Sequence, residues 1–141
     1  MNADGHTAGE KRVLLVDDER GVREVVGLLL GQIGYRVVEA NNGAEALSLF
    51  IRGDFDLVMT DYEMPFLKGN DLAARIRRIA PCLPILMMTG FGHKASPDNP
   101  VDAVIHKPLN LAGLRTVMHQ LLHGNEGTPE EPLLPELHQY N

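Results

Sequence analysis

Five chemically capable side chains of this sequence recur at one kind of place, just after a short apolar run. Asp17 and Asp18 follow Arg12–Val16 (RVLLV), and Asp61 follows Leu57–Thr60 (LVMT). Thr89 closes Pro84–Thr89 (PILMMT), and Lys107 stands just beyond Val101–Ile105 (VDAVI). In an open α/β sheet, reactive groups gather outside the carboxyl ends of the strands. Three carboxylates converging on one edge repel each other, and a hard divalent cation with oxygen ligands relieves that repulsion. Mg²⁺ suits the role, because it binds through one or two carboxylates together with waters and phosphate. Lys107 adds a point positive charge and Thr89 a hydroxyl donor. Together these groups make a pocket for a phosphoryl group built on a carboxylate. Aspartate is a covalent acceptor of phosphoryl groups, and a cation with a lysine offsets the charge spread over the transferring oxygens.

An Asp after a strand, taken alone, is more commonly a turn or cap residue. The pocket therefore depends on the elements that bring these positions together. Arg12–Asp17, Tyr35–Glu39, Leu57–Thr60, Pro84–Thr89 and Val101–Ile105 read as strands, the third apolar enough to be buried on both faces of a parallel sheet. Between them lie helical patterns. Val22, Val25, Val26, Leu29 and Ile33 share one face, with Arg20, Arg23 and Glu24 off it, Asp18 or Glu19 as a cap and Gly34 as the stop. Asn42 with Glu45 suits the start of a second helix, which Gly53 ends, and Asn70–Ile79 reads as a third, ended by Pro81. Asn110 caps a last helix through about His123. Alternating strands and helices predict a doubly wound, five-stranded parallel sheet with helices on both faces.

Composition narrows the function classes. A length of 141 residues fits one domain, predicted over 11–124, with a disordered leader at 1–10 and a Pro/Glu-rich flexible tail or linker at 125–141. A net charge of −6 argues against a general nucleic-acid face. Trp is absent and aromatics are 5%, which leaves no base-stacking platform. The lone Cys82 cannot form an intramolecular disulfide, so a reducing cytoplasm is the expected setting. No signal peptide or membrane span is expected.

The sequence resembles the receiver domains of two-component response regulators. The resemblance spans roughly Arg12–His123 and rests on VDDE (Val16–Glu19), TDYEMPFLKG (Thr60–Gly69), MTG (Met88–Gly90) and KP (Lys107–Pro108). It implies a flavodoxin-like sheet of order 2-1-3-4-5 and Asp61 as phosphoacceptor. Asp18 and Asp61 would ligate Mg²⁺ directly, with the backbone carbonyl of Glu63 as a third protein ligand and Asp17 acting through water. Lys107 would bind phosphoryl oxygens from beside a cis Lys–Pro bond, and Thr89 would be the switch hydroxyl. Glu63 and Phe91, two residues beyond Asp61 and Thr89, would govern water access to the acyl phosphate. The implied partners are a sensor histidine kinase or histidine phosphotransfer protein and an unidentified downstream protein. The chain would be a signalling domain and not an enzyme in the ordinary sense, aiding only its own phosphoryl transfer and slow dephosphorylation.

Two features depart from the family pattern. Val104 stands where an aromatic switch partner is usual, so the signal must leave by another route. The stretch between Thr89 and Lys107 contains Gly90, Gly92, Pro97 and Pro100, and an interior Pro costs a helix about 3 kcal/mol. The fourth helix is therefore predicted short, frayed or absent, with phosphorylation ordering or displacing this loop. His119 and His123 are spaced for a metal pair but lack a third ligand, and read as dipole complementation near a helix end. Met59, Met87 and Met88 read as core, and His106 as a solvent-facing strand end. A flavodoxin-like phosphate-cofactor site is excluded, because Asp17, Asp18 and Glu19 occupy the loop that would need donors. A hydrolase with Glu63 as second acid, a phosphorelay intermediate or phosphate sink, and a phosphorylation-independent scaffold are the competing readings.

Overall fold

The computed structural model describes residues 10–90 and 100–124. The expected leader (apart from Glu10), the shortened helix predicted around 91–99 and the tail at 125–141 lie outside the described residues. Within them the order is β1 (Arg12–Val16), α1 (Arg20–Ile33), β2 (Arg36–Ala40), α2 (Gly43–Arg52), β3 (Leu57–Asp61), α3 (Gly69–Ile79), β4 (Ile85–Thr89), β5 (Ala103–His106) and α4 (Leu111–His123). All strand pairs are parallel and the sheet order is β2-β1-β3-β4-β5. The doubly wound architecture expected from the sequence is therefore present.

The strand runs explain their own positions. β3 and β4 are buried along their whole length, as central strands covered on both faces must be. Alternate residues serve two cores. Val13, Leu15, Met59 and Met88 pack under α1 and α4, whereas Leu14, Val16, Val58 and Ile85 pack under α2 and α3. Met59, Met87 and Met88 are fully buried, as expected of core filler.

Several boundaries and faces differ from the sequence reading. β2 begins one residue later than expected and runs to Ala40, and β5 is Ala103–His106, not Val101–Ile105. Asp102 is held at the strand entrance, where its carboxylate accepts the Ile85 N–H at 2.7 Å. On α1 the fully covered residues are Val26 and Leu30, while Val25 is 57% exposed. The apolar arc of α1 is wider than the stripe the sheet covers, so Val25 and Leu28 face outward. At its start neither expected residue caps the helix. Glu19 makes no side-chain cap bond, and the Asp17 carboxylate takes the Glu19 N–H instead. Elsewhere the capping chemistry is as read: Asn42 accepts from Glu45 N–H, Asn110 from Gly113 N–H, and Gly34 closes α1 in the left-handed region.

Candidate functional site

The ends of β1, β3, β4 and β5 converge on one polar pocket. Asp17 is fully buried just past β1, Asp61 is the last residue of β3, and Thr89 ends β4 fully buried. Ligand oxygens of Asp17, Asp18 and Asp61 all lie within 4.8 Å of one another. The Lys107 ammonium reaches across from the end of β5 to donate to Asp17 Oδ2 at 3.1 Å, and stands 3.0 Å from Asp61 Oδ1. The Lys107–Pro108 bond is cis, as the resemblance implied. The main chain is tied across the same edge, with Lys107 N–H donating to the Thr89 carbonyl and Tyr62 N–H to the Met88 carbonyl, both at 2.8 Å.

The electrostatics follow from this crowding. Burial pushes the Asp61 carboxyl up to about 6, and the charges of Asp17 and Asp18 push the same way, against the hydrogen bond and charge of Lys107. Lys107 is pulled down by burial, but the bond to Asp61 and the charges of Asp17 and Asp61 leave it above its ordinary value. One ammonium thus faces three carboxylates. An all-oxygen cluster with surplus negative charge suits a hard divalent cation. Among the described residues the buried Thr89 hydroxyl has no hydrogen-bond partner, which leaves a donor unspent at the same edge.

The loop after β3 is shaped by steric necessity. A Cβ on Gly69 would run into the Asp61 carbonyl and the Tyr62 Cα, so only glycine lets α3 begin against the backbone of Asp61. Gly69 N–H also donates to the Tyr62 carbonyl at 3.0 Å. Phe66, with φ of 70°, stands fully exposed on this loop. Glu63 has its side chain on the surface, 3.6 Å from Lys68 Nζ. Phe91 lies outside the described residues. Val104 is buried in β5 next to Met87 in register. His119 and His123 are neighbours with ring centres 5.0 Å apart, but among the described residues they join no third metal-ligating group.

Two positions escaped the sequence reading. Arg23, set aside as solvent-facing, donates to the Asp17 carbonyl at 2.8 Å, to Glu39 at 2.9 Å and to Asn41 at 3.2 Å, and so anchors the turn that carries Asp17 and Asp18. The signal available was an Arg one turn into the helix behind an acidic pair. Arg77 donates to the carbonyls of Leu83 and Pro100 and to Asp102, joining α3 to the entrance of β5. Its partners lie up to 25 residues away, and no local pattern announces them.

Comparison with known proteins agrees with this geometry. The family model described as "Response regulator receiver domain" matches residues 13–119. The chain is 37% identical over 116 residues to the response regulator receiver protein CpdR of Brucella abortus, covering 79% of this chain and 97% of CpdR. It is 34% identical to the autoinducer 1 sensor kinase/phosphatase LuxN of Vibrio harveyi, but spans only 14% of that protein's length against 80% of its own. Among solved structures, TrrA of Thermotoga maritima in complex with Mg²⁺ and BeF superposes with a TM-score of 0.75 at 36% identity, covering 79% of this chain and 99% of TrrA. Vibrio cholerae CheY4 superposes with a TM-score of 0.73 at 28% identity, covering 81% of this chain and 100% of CheY4. The order of the sheet, the acidic cluster facing a lysine at its carboxyl edge and the match over 13–119 thus lead to one conclusion: the chain belongs to the response regulator receiver domains, the phosphoryl-receiving modules of two-component signalling.

Proposed function

We propose that Asp61 is the phosphoacceptor and that this chain takes a phosphoryl group from a phosphohistidine of a sensor kinase or phosphotransfer protein. The observation that carries the reading is Lys107 Nζ at 3.0 Å from Asp61 Oδ1, beside the Asp17–Asp18–Asp61 cluster. An Asp61 carboxylate oxygen forms a bond to phosphorus as the P–N bond of the donor breaks. The imidazole keeps the electron pair and gains a proton from solvent. Lys107 faces the charge that gathers on the phosphoryl oxygens, and the unspent Thr89 hydroxyl is available to them once they arrive. Asp18 and Asp61 would hold Mg²⁺ directly, with the Glu63 carbonyl as a third ligand and Asp17 through water. When bound, that ion neutralises charge shared between carboxylate and phosphoryl group. Slow hydrolysis of the acyl phosphate resets the domain, and a changed protein–protein surface is its output.

The donor's approach is supported by an apolar groove of about 630 Å³ that begins at Lys107 and Pro108 and runs along Val22, Val25 and Leu29 of α1. A helix carrying the phosphohistidine fits such a groove. Amide NMR with Mg²⁺ and then beryllofluoride tests the assignment. Shifts at Asp18, Asp61, Thr89 and Lys107 that Asp61→Asn abolishes are the expected outcome. Unchanged spectra with both ligands, or identical responses in the variant, would remove Asp61 from the role.

A further inference from the structure

A second feature lies at the opposite, amino-terminal edge of the sheet, about 16 Å from Asp61 along a five-residue strand. Lys11 and Tyr35 lead into β1 and β2, and Arg36 N–H donates to the Lys11 carbonyl at 2.9 Å. Against them α4 sets Arg115, His119 and His123, and α1 ends at Gly34, leaving a groove of about 360 Å³. Among the described residues no carboxylate lines this groove, and none forms a salt bridge to Lys11 or Arg115. On a chain of net charge −6, a groove with two permanent cations and two imidazoles is out of character.

The chain itself supplies the complementary charge. It leaves α4 at His123, which lines the groove, and residues 125–141 contain Glu126, Glu130, Glu131 and Glu136 with no Lys or Arg. Six residues from Gly124 to Glu130 reach up to about 20 Å. Arg115 lies eight residues back along α4 from His123, only about 12 Å. Glu130 and Glu131 sit between Pro129 and Pro132, which narrows the conformations they must give up on docking.

We propose that the acidic segment 125–141 folds back onto its own domain, with Glu130 and Glu131 seated against Arg115 and Lys11. Because the segment is tethered at the groove, its effective concentration is on the order of millimolar and pairs that are weak one by one suffice. The occupied groove faces away from the phosphoryl pocket, so docking leaves Asp61 open while covering the junction of α1, α4 and the first two strands.

The test uses the full chain in a Cys82→Ser background, since Cys82 is exposed and would otherwise take a label. A nitroxide is placed through Leu134→Cys, and amide peak intensities are compared in the oxidised and reduced label. Loss of intensity is expected at Lys11, Tyr35, Arg115 and His119, with amides around Phe66 and Arg75 unaffected. Glu130→Lys with Glu131→Lys should restore those peaks, as should Lys11→Glu with Arg115→Glu. The two pairs combined should bring the loss back. Raising the salt from about 0.1 to about 1 M shortens the Debye length from about 10 to about 3 Å and should also restore the peaks. Uniform loss, no loss, or loss that survives either reversal overturns the proposal. So does loss seen only when labelled and unlabelled chains are mixed, which would assign the groove to a second copy.

Discussion

Aspartates at the two ends of the strands use the same carboxylate in opposite ways. At the amino ends, Asp56 accepts the Arg12 N–H at 2.8 Å, and Asp102 accepts the Ile85 N–H at 2.7 Å and an Arg77 N–H at 2.8 Å. Each is matched to donors that the sheet edge would otherwise leave open. At the carboxyl ends, Asp17, Asp18 and Asp61 crowd within 4.8 Å with one shared ammonium between Asp17 and Asp61. The first pair spends its charge on the fold, and the second group holds charge in reserve for a ligand. What separates structural from chemical aspartates is thus the supply of donors around them.

That contrast can be attacked from both ends. Lys107→Ala removes the ammonium that faces the transferring group, and phosphorylation of Asp61 by a small phosphodonor should slow about 10²-fold, the usual cost of one such donor. A rate near wild type would break the contrast. Asp102→Ala should do the reverse. It leaves the Ile85 N–H without its acceptor and Arg77 without its carboxylate. A loss of about 1–3 kcal/mol in urea denaturation is expected, with phosphorylation kinetics unchanged.

The smallest effect sharpens the difference in sign. Without divalent cation, folding raises the Asp61 carboxyl from 3.8 to about 6. The native state therefore holds a proton that the unfolded chain has released. Asp61 favours folding fully below about 4, and this contribution is lost as pH rises through about 6. Asp61→Asn should then stabilise the cation-free protein by about 1–2 kcal/mol at pH 7.5. That is less than the rise from 3.8 to about 6 would give by itself, because Lys107 loses a charged partner. The gain should shrink toward pH 4, where a stabilisation that persists unchanged would contradict the assigned cause. The matching substitution Asp56→Asn gains nothing, since Asp56 serves a backbone donor.

The sequence announced the sheet because central parallel strands are apolar on both faces, and no other element type needs a run such as Leu57–Thr60 between two helices. The site was legible for a related reason: Asp17, Asp61, Thr89 and Lys107 stand at fixed offsets from those runs, so that locating the strands also locates the pocket. Faces at the sheet margin were harder to read. Val25 and Leu30 are equally apolar, yet Leu30 is covered and Val25 is 57% exposed, because only packing decides how much of an apolar arc meets the sheet. Arg23 and Arg77 were opaque for another reason. A long polar side chain carries no periodic signal, and its partners are set by tertiary approach.

The contact that excludes a side chain at Gly69 has a mechanical consequence. Because α3 begins flush against the carbonyl of Asp61, its eleven residues form a shaft of about 16 Å with no slack at its upper end. Near the lower end Arg77 grips the Pro100 carbonyl and Asp102. A displacement of the Asp61 backbone would then reach the doorway of β5 along α3 without passing through Val104. A double-mutant cycle joining Gly69→Ala to Arg77→Ala, read as the shift of residues 100–103 on adding beryllofluoride, would weigh that linkage. Strict additivity would mean that the two ends of the rod do not feel each other.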